Sequence, residues 1–63
     1  MERLSPQEIK AIRIELQFTQ EELAHELGTA VSTVNRWENG KSLPGKMACK
    51  FLLKLKAERA RVT

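Results

Sequence analysis

Ser5-Pro6-Gln7-Glu8 and Thr19-Gln20-Glu21-Glu22 carry the same helix-start signal twice, fourteen residues apart. In each, a hydroxyl at the N-cap can accept from the amide three residues on, and a glutamate there can reach back to the cap's own N–H. Pro6 suits the first helical position, where no N–H is needed. Leu4 with Ile9, and Phe18 with Leu23, stand where hydrophobic staples would sit. Two helix starts so close together leave room for one short helix and a tight turn between them. The N-terminal part of the chain is therefore expected to form short helices.

The apolar spacing extends this reading. The first helix is expected from about Pro6 to Leu16, with Ile9, Ile12 and Leu16 on one face. The second is expected from about Gln20 to Leu27, with Leu23, Ala24 and Leu27 inward and Gly28 as the left-handed terminator. A third fits about Ala30 to Asn39, with Thr29 as the best available cap and Gly40 ending it. On its wheel Ala30, Val31, Trp37 and Glu38 gather around Val34, Ser32 and Arg36 lie opposite, and Thr33 and Asn35 flank. Lys41 to Gly45 reads as a loop. The last helix is expected from about Lys46 to Arg59, with Ala48, Phe51, Leu52 and Leu55 inward and Lys46, Lys50 and Lys54 on another side. Leu53 falls among those lysines, either as an ordinary exposed leucine or as a dimer contact. Arg61 to Thr63 should fray.

Composition narrows the function. Sixty-three residues make a single domain, with about 60% of the unfolded chain's surface buried on folding. The single cysteine, Cys49, excludes a disulfide framework and fits a reducing cytoplasm. With one histidine, it cannot complete a four-ligand zinc site; no metal or cofactor is expected. No apolar run is long enough to cross a membrane, and Met1 to Ser5 has no leader-peptide core. Residues 1–27 hold three bases against six acids, and residues 28–63 eight bases against two acids. A polyanion facing the basic half and a solvated lysine-rich helix both fit this asymmetry. No nucleophile–base pair or phosphate-binding glycine loop is visible, and so small a chain encloses no ordinary pocket. An enzyme is the poorest reading.

Two short helices around a tight turn, the second with a polar outer face, form a helix-turn-helix. Thr19-Gln20-Glu21-Glu22-Leu23-Ala24, then Gly28, then Ser32 through Lys41, then Pro44 resembles the Cro/C1-type helix-turn-helix family, the XRE family of phage and bacterial repressors. The resemblance covers residues 9 to about 55. It implies an all-α, compact bundle of four or five helices, lambda-repressor-like, with the helix-turn-helix unit at about 20–39. It also implies sequence-specific binding of double-stranded DNA by the third helix in the major groove, and a transcriptional regulator, a repressor. The chain is shorter than many relatives, so the usual fifth helix should be absent or fused with the fourth. It also departs from the family at Ala30, often Ser or Thr there, and at Thr29, often apolar there.

Arg36, outward on its helix, is the first choice for base reading, since arginine can donate twice to a guanine edge. Ser32 and Thr33 can reach a base or phosphate from the helix start, or serve as ordinary helix surface. Asn35 can pair with adenine or hold a phosphate. Val31 stands where relatives often carry a polar base-reader and can touch a thymine methyl; its periodicity instead puts it partly in the core. The resemblance implies phosphate contacts from Gln20 and Thr19 at the second helix start; capping is the better reading for Thr19. It implies backbone grips at Asn39 and Lys41, with Ser42 and Lys46 as weaker candidates. Glu38 and Arg13 resemble the family's structural ion pair. Trp37 reads as core, His25 as exposed and inert, and Cys49 as a small flanking residue. The expected partners are double-stranded DNA and a second copy of the chain as a homodimer. The competing reading is a protein-interaction module, such as an antitoxin-like partner or adaptor, using Leu53 and Met47.

Overall fold

The structure is a computed structural model that describes residues 4–62, with side chains as far as Arg59. Met1–Arg3, part of the segment read for a leader, and Thr63, the last of the residues expected to fray, lie outside it. Four helices follow in order: α1 (Pro6–Glu15), α2 (Gln20–Leu27), α3 (Val31–Glu38) and α4 (Lys46–Val62). No strand occurs among the described residues. Among the described residues the chain is thus the all-α bundle expected, with four helices.

Both capping boxes form. Ser5 Oγ accepts from the Glu8 N–H at 3.2 Å, and Glu8 Oε1 accepts from the Ser5 N–H at 2.8 Å. Thr19 and Glu22 repeat the exchange at 3.0 and 2.7 Å. Each box satisfies two amides that a helix start would otherwise leave without intrahelical partners.

The first three helices end alike. Past α1, the Phe18 N–H reaches the Arg13 carbonyl at 3.0 Å and the Gln17 N–H the Ile14 carbonyl at 2.9 Å. Thr29 and Gly28 do the same at α2, and Lys41 and Gly40 at α3. This paired return is the Schellman turn, and it requires one left-handed residue. Gly28 (φ 69°) and Gly40 (φ 74°) take that conformation where glycine signals it; Gln17 (φ 63°) takes it without that signal.

Ile9, Ile12, Leu16, Leu23, Ala24, Val34, Trp37 and Leu52 form the core, so every helix contributes. Leu4, Phe18, Leu27, Ala48 and Leu55 pack around it, half-buried. Pro44 is fully buried and anchors the loop before α4.

Several expectations are corrected. The α3 N-cap is Ala30, not Thr29, and it makes no side-chain cap bond. The helix starts one residue late because the Thr29 N–H is drawn back to the Ala24 carbonyl, closing the α2 turn. Val31 is exposed (42%), not partly buried. Ala30, grouped with it around Val34, is exposed as well. A helical side chain leans toward its own N-terminus, and for Val31 that side is the turn rather than a packed helix. Cys49 is buried, not a flanking residue, and its thiol points to the Pro44 carbonyl, 3.9 Å away. The last helix runs past Arg59 to Val62, so the backbone at Arg61 and Val62 is helical rather than frayed. Neither glycine nor proline follows Lys46 to stop it.

Gln17 carries backbone strain in its left-handed conformation. It is exposed and makes no side-chain hydrogen bond among those described, so Gln17→Gly should relieve the backbone strain, offset in part by the greater freedom glycine gives the unfolded chain. Stability should rise by roughly 1 kcal/mol, raising Tm by about 4–8 °C in a domain of this size. Thermal unfolding followed by circular dichroism checks it; an unchanged or lower Tm would refute the strain assignment.

Candidate nucleic-acid interface

One side of α3 is sealed and the other open. Val34 and Trp37 are buried against the other helices, whereas Val31, Ser32, Asn35 and Arg36 are exposed and Thr33 is half-buried. The Schellman turn at Gly28 sets the angle at which α3 leaves α2, and so aims this open side outward. Arg36 donates to no partner among the described residues, which leaves its planar fork of N–H groups available to an external acceptor.

Behind the open side lies an ion pair. Arg13 Nε donates to Glu38 Oε2 at 2.6 Å, and Arg13 Nη2 to Glu38 Oε1 at 3.0 Å. A third donor, Arg13 Nη1, reaches the Phe18 carbonyl at 2.9 Å. The two side chains are only 14% and 4% exposed. One guanidinium thus joins α1, the α1–α2 turn and α3. Hydrogen bonding to Glu38 leads the effects on Arg13 and raises its pKa. Burial pushes the Glu38 carboxyl up, but hydrogen bonds from Arg13 and Gln20, with the nearby charges of Arg13 and Lys10, outweigh it and hold the group below its ordinary value.

The pair continues toward the surface as a chain of amides. Gln20 Nε2 donates to Glu38 Oε1 at 3.1 Å. Asn35 Nδ2 donates to Gln20 Oε1 at 3.3 Å, and Asn39 Nδ2 to Asn35 Oδ1 at 3.0 Å. Arg13, Glu38, Gln20, Asn35 and Asn39 are therefore one connected network spanning α1, α2 and α3. Gln20 is half-buried within it, with its oxygen and one N–H engaged in these bonds. At Thr19 the hydroxyl oxygen and the N–H are both used in the capping box. The backbone amides of Gln20 and Glu21, in the first turn, are the donors that helix geometry leaves open there.

Lys41 is exposed and Ser42 half-buried just past the α3 terminus, and Lys46 is exposed at the start of α4. These three share no hydrogen bond with the amide network. Leu53 is half exposed on α4, in a shallow site shared with Leu4, Ala11 and Ile12 and lined by no residue of α3. Met47, 77% exposed, stands over an open groove of about 530 Å³ lined by Leu27, Trp37, Ala48 and Phe51. Ile14 and Leu43 are exposed apolar residues that the reading of the chain did not single out. Ile14 is signalled only by falling off the three-and-four spacing of Ile9, Ile12 and Leu16. Among the described residues no group of acidic, histidine and cysteine side chains is placed to hold a metal ion, and no helix is long and apolar enough to cross a membrane.

Comparison with known protein families matches residues 9–55 to the family described as helix-turn-helix. No curated protein matches the chain.

The ion pair sets an acid limit on stability. Because the Glu38 pKa is lowered on folding, its contribution is complete above the ordinary value of 4.5 and is lost as pH falls below it. Arg13→Ala leaves Glu38 buried and the Phe18 carbonyl without its donor. It should cost on the order of 3 kcal/mol at neutral pH, a large share of what so small a domain has. Urea unfolding at pH 7 and pH 3 checks this: the difference between wild type and Arg13→Ala should shrink at the lower pH. An equal difference at both would show that the charge on Glu38 is not the cause.

Proposed function

Because the chain belongs to the Cro/C1-type helix-turn-helix family, a family of DNA-binding transcription regulators, we propose that it binds double-stranded DNA sequence-specifically and acts as a repressor in the cytoplasm. α3 lies in the major groove, and Arg36 is the principal base-reading side chain. The observation that carries this reading is the division of α3. A sealed apolar side is locked to the bundle, and an open side presents Ser32, Asn35 and Arg36 together. Thr33 and Val31 flank that surface, Val31 with a methyl-bearing side chain suited to thymine. Phosphates are held by the backbone amides at the start of α2, beside Thr19 and Gln20, and by Asn39, Lys41, Ser42 and Lys46. These contacts give affinity and register rather than sequence choice.

A single module of this size makes few contacts, so the proposal includes a homodimer on two half-sites about one helical turn, roughly 34–36 Å, apart. Leu53 is its assigned contact, half exposed on α4 beside Leu4, Ala11 and Ile12. A second reading has its own support: the exposed Met47 above an apolar groove is a surface suited to another protein, such as an antitoxin-like pairing.

Fluorescence anisotropy with random duplex DNA at low and physiological salt tests the first reading. Lys41→Ala should weaken binding on all sequences and reduce the salt slope by about one. Arg36→Ala should relax one position of a selected duplex by about 1–3 kcal/mol. No binding at low salt by a helical, folded protein would refute DNA binding and leave the protein-partner reading. Sedimentation equilibrium tests the dimer: Leu53→Glu should shift the protein to monomer with its helical spectrum unchanged. An unshifted dimer would remove Leu53 from the interface.

A further inference from the structure

The amide network has a direction, and one group determines it. A carboxylate has oxygens only, so it can accept hydrogen bonds but not donate them. The Glu38 side chain is 4% exposed, so water cannot readily replace a partner that faces it the wrong way. Gln20 must therefore turn its NH2 end to Glu38, as it does at 3.1 Å. Its oxygen then faces Asn35, which must answer with its own NH2, at 3.3 Å. The Asn35 oxygen is thereby left to accept from Asn39, at 3.0 Å. An isolated amide can sit with its two ends exchanged at little cost. Here each of the three is set by the one before it.

Asn35 is exposed beside Arg36, and its bonds within the network use one N–H and one oxygen lone pair. One N–H and one lone pair remain, with their relative placement settled by the network. A side-chain amide that pairs with a base edge uses one donor and one acceptor side by side, and exchanging them changes which base edge fits. Resting on the DNA-binding reading above, we propose that Glu38 is a positioning residue for base recognition: through Gln20 it decides which end of the Asn35 amide donates and which accepts toward the duplex. Its role in the ion pair with Arg13 is separate, because that bond exists whichever way Gln20 turns.

The DNA-free protein tests the relay itself. In nitrogen-15 spectra, the Gln20 side-chain amide protons should exchange with water more slowly than those of the exposed Gln7. Glu38→Gln should move the Gln20 and Asn35 amide signals and leave Gln7 in place. Equal exchange at Gln20 and Gln7, or an Asn35 amide indifferent to Glu38→Gln, would overturn the relay whether or not the protein binds DNA.

Duplex DNA selected by the wild-type protein then tests its use. Asn35→Ala should locate the base pair concerned, with wild type discriminating there by about tenfold. Glu38→Gln puts a donor into the first position of the relay and should bring that ratio to within about twofold, with affinity for random DNA retained. Gln20→Glu added to Glu38→Gln restores an acceptor opposite Asn35 and should restore the ratio. A structural role for Glu38 alone predicts no such recovery. A folded Glu38→Gln that keeps the preference, a folded double variant that does not regain it, or an Asn35→Ala that alters no position would each overturn the proposal. If Glu38→Gln does not fold, Gln20→Leu breaks the relay with the ion pair intact, and retained discrimination there would overturn it equally. A wild-type protein that binds no duplex refutes the DNA-binding reading instead, and the amide exchange still decides the relay.

Discussion

The bond between Arg13 and Glu38 is the constraint on which the rest of this small bundle depends. α2 and α3 have eight residues each, too few to be stable alone in water. Their helicity is conditional on tertiary packing. Arg13 gives that packing a directional anchor: its three donating nitrogens meet Glu38 of α3 and the carbonyl of Phe18 at the α1–α2 turn. A carboxylate as buried as Glu38 would be costly unpaired. The bundle can therefore close only in the arrangement that brings α1 and α3 together, and misregistered packings of the same apolar faces are penalised.

Repeated chain reversals are the second constraint. Three helices end in Schellman turns, each bringing the chain back over the helix it has left. At Gly28 the reversal also determines which side of α3 stays open. The Thr29 N–H is spent on closing the α2 turn, α3 begins at Val31, and its uncapped start lies at the protein surface. The apolar side of α3 can then be buried by α1 and α2 while the side bearing Ser32, Asn35 and Arg36 stays open. Burial and presentation are two faces of one helix orientation.

Much of the fold was legible in local sequence. The capping boxes at Ser5 and Thr19 were, because a hydroxyl and a glutamate three residues apart interact within a single turn of chain. Gly28 and Gly40 were, because positive φ favours glycine. Gln17 was not, because a glutamine in the left-handed region is held there by the Arg13 and Ile14 carbonyls and the packing of Phe18. Periodicity correctly put Val34 and Trp37 inside. It misjudged Val31 because a wheel describes an endless helix, and the first residue of a real one leans over a turn. It also misjudged Cys49, whose burial depends on where Pro44 tucks the preceding loop.

The pattern in the candidate site is the same. The outward placement of Arg36, and an inward Glu38 in want of a partner, could be read from the spacing of α3 together with the family resemblance. The engagement of Gln20 with Glu38 and Asn35 could not, since those contacts join residues fifteen and eighteen positions apart. The sequence by itself determined where α1 and α2 start, where glycine ends α2 and α3 and which faces are apolar, because these follow from interactions within about one helical turn. Only the tertiary structure decided which apolar residues stay exposed and which polar groups meet in one network. Those outcomes depend on the angles at which separate helices cross, and no local spacing specifies such angles.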